Sequence, residues 1–146
     1  MSSLTDTDKI RSILEKYRTI AIVGLSRDSS KDSYRVAEYL QSKGYRIIPI
    51  NPSADQILGQ KCYRSLLKVR EELQKTIEIV DMFRPSQDVP LIVDEAVQLR
   101  SRYGKPQVIW MQLGIINEEA EEKAEDAGLT VIMDRCIAQE HRRLFD

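Results

Sequence analysis

A short apolar run, a single glycine and a polar loop leading into a helical pattern stand together at residues 19–40, TIAIVGLSRDSSKDSYRVAEYL. No other stretch narrows the choice of fold as much. Ile20–Val23 is apolar without alternation and too short for a helix, which is the pattern of a strand buried on both faces of a parallel sheet. Gly24 ends the run, the loop that follows carries Ser26, Arg27, Ser29, Ser30 and Lys31, and Asp32 or Ser33 is placed to cap a helix with Val36, Ala37 and Leu40 facing inward. A strand that runs through small residues into a helix N-terminus aims backbone N–H groups and the positive end of a helix dipole at one space. The chemistry expected there is phosphate binding.

The rest of the chain repeats the alternation. Thr5 and Asp8 have capping-box spacing, and Ile10, Ile13, Leu14 and Tyr17 fall at helical intervals. Gly44 closes the second helix, and Tyr45–Ile50 reads as the second strand. Pro49 has no ladder donor, so it is expected at the strand end beside Asn51–Pro52. Residues 53–75 mix a turn at Gly59 with a polar helix around Ser65–Gln74. Ile77–Phe83 is the third strand and runs straight into Arg84–Pro85. Val89, Ile92, Val93, Ala96 and Val97 then mark a buried helical stripe, with Pro90 tolerated in its first turn.

Val108–Met111 is the fourth strand, ending in Gln112–Leu113–Gly114. Asn117 caps a glutamate-led helix that Gly128 closes, Thr130–Met133 is the fifth strand, and a last helix sets Ile137, His141 and Leu144 on one face. Strands alternating with helices in this way imply right-handed parallel βαβ units. The expected fold is a doubly wound α/β sheet of five parallel strands in the order 3-2-1-4-5, helices on both faces, forming one domain over residues 1–146 with the first helix packed on it. Ligands of such sheets sit outside the carboxyl ends of the strands at the switch point. Gly24–Ser26, Asn51–Pro52, Arg84–Pro85 and Gln112–Gly114 are expected there.

Charge is balanced, with 22 basic and 23 acidic residues, so no global field favours nucleic acid or a membrane surface. No apolar run reaches the ~20 residues that span a bilayer. MSSLTDTDKI lacks the basic and apolar regions of a signal peptide. Cys62 and Cys136 form neither metal-ligand spacing nor a disulfide framework, which suits a reduced cytosolic setting.

A nicotinamide dinucleotide is the first ligand to weigh. Gly24 supplies only the first glycine of G-x-G-x-x-G, and Asn51 stands where the ribose-binding acid belongs. The P-loop pattern is absent too. The residues resemble a different family, the small stand-alone CoA-binding proteins, which are similar to the CoA-binding domain of the succinyl-CoA synthetase alpha subunit. The resemblance runs from about Lys16 to Leu144 and rests on IAIVGLS, SYRVAEYLQSKGYRIIPINP, ILGQKCYRSL, VDMFRPSQDVP, VIWMQLGIINEEA and MDRC followed by EHRRL. It implies a Rossmann-like fold with coenzyme A or acyl-CoA across the strand ends.

That resemblance also implies site residues. Gly24, Leu25, Ser26 and Arg27 match the turn against the pyrophosphate, and Ser33 and Arg35 the start of the next helix. Ile50, Asn51 and Pro52 match the segment beside the adenosine, Phe83, Arg84 and Pro85 the wall after the third strand, and Gln112 and Gly114 the floor after the fourth. A lysine often follows the Asn-Pro pair in the family; Ser53 stands there in this chain, which leaves the 3′-phosphate to Arg27, Lys31 or Lys61.

No nucleophile–base–orienter set and no metal cluster are visible, so a non-enzymatic binder, carrier or sensor is expected. An NAD(P)-binding domain, or a CoA-dependent enzyme subunit completed by a partner chain, is the alternative, and a homo-oligomer is compatible with either. Arg84 faces the crevice or pairs with Asp81 or Asp88. His141 and Trp110 read as structural, and both cysteines as small semi-buried side chains.

Overall fold

The computed structural model describes residues 5–146. The first four residues of the segment read for a signal peptide lie outside that range. Helix α1 (Asp6–Lys16) begins with the expected capping box: the Thr5 hydroxyl accepts the Asp8 N–H and the Asp8 carboxylate accepts the Thr5 N–H. Strand β1 (Thr19–Val23), helix α2 (Asp32–Ser42) and strand β2 (Arg46–Ile50) follow. The turn at Gly59 is present, but Ser65–Gln74 is not one polar helix. Residues 53–75 fold as a small hairpin, β3 (Gln56–Ile57) and β4 (Gln60–Lys61), then a 3₁₀ turn and the single-turn α3 (Glu71–Gln74). Val69, with extended backbone between the last two, buries its side chain and interrupts the helix. Strand β5 (Ile79–Met82), helix α4 (Val89–Tyr103), strand β6 (Val108–Met111), helix α5 (Glu118–Asp126), strand β7 (Thr130–Ile132) and helix α6 (Ile137–Phe145) complete the chain.

The principal sheet has five parallel strands in the order β2-β1-β5-β6-β7. The Rossmann-like, doubly wound parallel architecture is as expected, but the strand order differs from 3-2-1-4-5. Counting the five strands of this sheet in chain order, it runs 2-1-3-4-5, because the third pairs directly with the first (Ile20↔Ile79 to Val23↔Met82). The physical reason lies on the outer edge of β2. Pro49 sits inside β2, one residue before its end, with its missing donor facing outward. The segment after the hairpin takes what that edge still offers: Tyr63 donates to the Pro49 carbonyl (3.0 Å) and Asn51 donates to the Tyr63 carbonyl (2.9 Å). A third full strand has no continuous ladder to join there, so the chain crosses back over β1.

Burial alternates along each strand between two cores. Ala21, Val23, Val80, Met82, Ile109 and Met111 face α4 and α5. Ile20, Ile22, Ile79, Val108 and Trp110 face α1, α2 and α6. The first helix packs through Ile10, Ile13 and Leu14 as its spacing predicts. Trp110 is fully buried and donates its indole N–H to the Arg135 carbonyl (2.8 Å), so it is a core residue with its polar edge satisfied. None of the described helices is long and apolar enough to cross a membrane.

Candidate functional site

The β1–β5 junction is where the sheet changes direction, since β1 leads to α2 on one face and β5 leads to α4 on the other. Three loops meet at that switch point, and main-chain contacts tie them together. The Gly24 N–H donates to the Ile50 carbonyl (2.9 Å), and the Asn51 side-chain amide donates to the Leu25 carbonyl (2.8 Å). Gly24 has φ +88°, and a Cβ built on it would lie 2.6 Å from the Phe83 carbonyl oxygen. The close approach that demands glycine here is therefore to the β5 exit. Asn51 also accepts the Ser53 and Ala54 N–H groups at 2.7 and 3.1 Å, so its side chain organises the turn after β2.

The α2 entry differs from the expected cap. Lys31 occupies the cap position without a side-chain bond, and Asp32 is the first helical residue. The Ser33 hydroxyl, expected to cap, is turned back to accept the Ser26 N–H (2.9 Å). This side-chain bond across the loop outcompetes capping and draws the turn against the helix start. Asp28 accepts both the N–H and the hydroxyl of Ser30, and the backbone bond, then the hydroxyl bond, hold its carboxyl below the usual range. The first-turn N–H groups of Asp32, Ser33 and Tyr34 have no acceptor within the helix, as at any α-helix N-terminus. Arg27 and Lys31 are exposed on this loop.

On the α2/α6 side, the strand ends open into a cavity of about 620 Å³, within the range of small-molecule sites. Arg35, Phe83, Arg84, Pro85 and Gln112 border it, as expected from the sequence. Gly24, Leu25, Ser26, Arg27, Ser33, Ile50, Asn51 and Pro52 do not line it; they belong to the β1 and β2 exits and the start of α2, a rim that meets the cavity wall where Gly24 approaches Arg84. Leu25 and Ile50 are buried in the two cores, so only their main chain is available to a ligand. Gln112 is also buried, and its side-chain amide oxygen accepts the Ile137 N–H (3.1 Å) at the start of α6. Gly114 lies beyond the wall with its N–H donated to Asp134 (2.7 Å), leaving Leu113 and Ile115 to face the cavity.

Arg84 both lines the cavity and pairs with Asp88 (2.9 Å). The expected alternative partner, Asp81, is fully buried on the sheet between Ile22 and Trp110 and has no hydrogen-bond partner on either oxygen. Burial pushes its carboxyl well above the usual range. Tyr39, Cys136, Gln139 and Arg142 border the cavity and were not among the sequence candidates. No local pattern marks the last three, which reach the cavity through the packing of α6 beside α2. Cys136 is half-buried, while Cys62 is buried near the Asn51 carbonyl and burial raises its thiol. His141 is a packed structural residue: its Nδ1 is 2.8 Å from the Tyr39 hydroxyl, and burial lowers its protonation. No metal-ligating cluster is found among the described residues.

The fold is that of a doubly wound α/β domain with an open cavity at the strand ends beside the switch point. The sequence matches the model described as a CoA binding domain over residues 18–142, and the chain belongs to that family. It is similar to the uncharacterized protein YneT of Bacillus subtilis, with 38% identity over 91% of this chain and 92% of that protein. An ADP-forming acetate–CoA ligase of Methanocaldococcus jannaschii is 33% identical over 53% of this chain, a region amounting to 10% of the ligase. Among solved structures, a hypothetical protein from Pyrococcus horikoshii OT3 superposes with a TM-score of 0.87 at 34% identity, covering 100% of both chains. The apo form of a dinucleotide-forming acetyl-coenzyme A synthetase from Ca. Korarchaeum cryptofilum gives a TM-score of 0.64 at 25% identity, over 83% of this chain and 27% of that one.

Proposed function

We propose that the chain binds coenzyme A or acyl-CoA at the carboxyl ends of its strands, as one domain and as a binder, carrier or sensor. The observation that carries this reading is the joining of two unlike surfaces at one switch point. One is a rim of main-chain donors with exposed Arg27 and Lys31; the other is a cavity whose apolar wall also carries Arg35, paired with Asp32, and Arg84, paired with Asp88.

The residues fit such a ligand. Main-chain donors of the 24–34 turn suit a diphosphate, with the α2 dipole adding to them. Arg27 and Lys31 are free to swing toward a terminal phosphate, and Ser53 offers no charge to that end. The turn held by Asn51 and exposed Pro52 lies on the adenosine side. Phe83, Pro85, Leu113 and Ile115 offer the apolar wall suited to a pantetheine arm. No carboxylate stands at the end of β2 to repel a 3′-phosphate, and none is present there to take a ribose 2′-hydroxyl as NAD binding requires.

Thermal unfolding with CoA, dephospho-CoA, NAD and ATP tests the reading. A ligand at 100 times its dissociation constant adds about 2.7 kcal/mol of stability. CoA is expected to raise the midpoint and NAD to leave it unchanged; stabilisation by NAD without CoA would overturn the proposal.

A further inference from the structure

Three arginines border the cavity, and they are not equivalent. Arg84 is paired with Asp88 at 2.9 Å. Arg35 lies 3.6 Å from Asp32 and donates to the Ser30 carbonyl at 2.8 Å. Arg142 has no carboxylate within 4.0 Å among the described residues; it lies over the Tyr39 ring, 4.5 Å from its centroid. The two acids nearest in sequence are engaged elsewhere: Glu140 pairs with Arg143 (2.7 Å) and Arg135 (3.5 Å), and Asp146 is held by Lys43 (2.8 Å) and by the Tyr39 hydroxyl (3.3 Å). Gln139 sits one helical turn before Arg142 on α6 and faces the same cavity, while Val36, Phe83 and Ala138 supply apolar wall. On the α6 side the wall thus carries a guanidinium, an amide and no carboxylate; Asp32, the acid that does border the cavity, lies at the α2 entry beside Arg35.

Resting on the reading that CoA occupies the strand ends, we infer that the chamber takes the acyl group of an acyl-CoA, and that Arg142 selects acyl chains ending in a carboxylate. Tyr39, on which Arg142 stacks, lies about two turns along α2 from the entry where the diphosphate is proposed to sit, so an arm that runs along the cavity from that entry brings its far end to Arg142. Stacked on Tyr39, the guanidinium is already oriented, which lowers the ordering cost of a bidentate bond to a carboxylate. A neutral acyl chain of the same length fills the apolar wall but leaves those donors to water.

Titration calorimetry with CoA, pentanoyl-CoA and glutaryl-CoA tests this on the wild-type chain and on Arg142→Gln and Arg142→Lys. Glutaryl-CoA is expected to bind at least ten-fold more tightly than pentanoyl-CoA. Arg142→Gln should abolish that ratio while leaving the affinity for CoA unchanged, and Arg142→Lys should restore part of it. Equal affinity of the wild-type chain for the two acyl-CoAs overturns the inference and leaves CoA binding intact. An equal loss for all three ligands in Arg142→Gln overturns it as well, by assigning the arginine to the shared part of the ligand. Absence of binding by any of them overturns the underlying reading itself.

Discussion

Replacing Gly24 with alanine should do more harm than the same change at Gly44, and the structure says by how much. Both glycines have positive φ, +88° and +93°, so each alanine carries the left-handed penalty of about 1–2 kcal/mol. Each also gains the same few tenths to ~1 kcal/mol from a less flexible unfolded chain. The two differ in their surroundings. A Cβ at Gly44 meets nothing within 4 Å, whereas at Gly24 it lies 2.6 Å from the Phe83 carbonyl oxygen and 3.0 Å from Arg84 Cδ. Relieving a backbone overlap of this kind costs about 1–3 kcal/mol, because the β1 and β5 exits must separate. Urea denaturation of both variants should therefore show Gly24→Ala less stable than Gly44→Ala by about 1–3 kcal/mol, with unchanged m-values. Affinity for CoA should fall in Gly24→Ala alone, since the displaced loops form the proposed rim. Equal stability of the two variants, with equal CoA binding, would refute the reasoning.

Asp81 gives a pH signature. Its folded carboxyl holds its proton above the unfolded value of 3.8, so the native state binds more protons and stability falls as pH rises from about 4 toward the folded value. The slope is about 1.36 kcal/mol per pH unit for one proton, and Asp81→Asn should remove it. Denaturation midpoints of the two proteins that stay a constant distance apart from pH 4 upward would contradict this. Asn51→Ala loses the bond to the Leu25 carbonyl and the turn bonds to Ser53 and Ala54, and should cost about 1–3 kcal/mol. Hydrogen exchange checks where that loss falls: faster exchange is expected at the Ser53 and Ala54 amides. Arg142→Gln should leave thermal stability within about 0.5 kcal/mol, being an exposed substitution, while altering acyl-chain preference as described above.

Much of the architecture was legible because apolar runs in a parallel sheet have little choice. Val108–Met111 matches its strand to the residue, and Ile20–Val23 misses only Thr19, the half-buried first residue of β1. Asn117 was recognisable as a cap because its side chain serves its own helix: it accepts the Ala120 N–H (2.9 Å). Strand order was not legible in the same way. It turned on which edge of β2 was free, and that edge is occupied by Tyr63, a residue in the stretch with the least periodicity. Ser33 shows the same limit at short range. Its residue type suits a cap, but the competing acceptor role toward Ser26 appears only once the loop is folded.

The site divides similarly. The rim could be read from a glycine after a strand and a loop before a helix, which are local signals. The cavity wall on α6 could not, because Gln139 and Arg142 reach the strand ends only through the packing of the last helix beside α2. Gln112 borders the cavity and, through its side-chain amide oxygen, also holds the start of α6, a second role that its place after β6 does not announce.

A crystal structure of the chain grown with coenzyme A tests the central claim most directly. The account predicts the diphosphate against the turn between Gly24 and the first turn of α2, with the pantetheine arm entering the cavity between Phe83 and α6. Coenzyme A seated on another surface, with that cavity left to solvent, would contradict it.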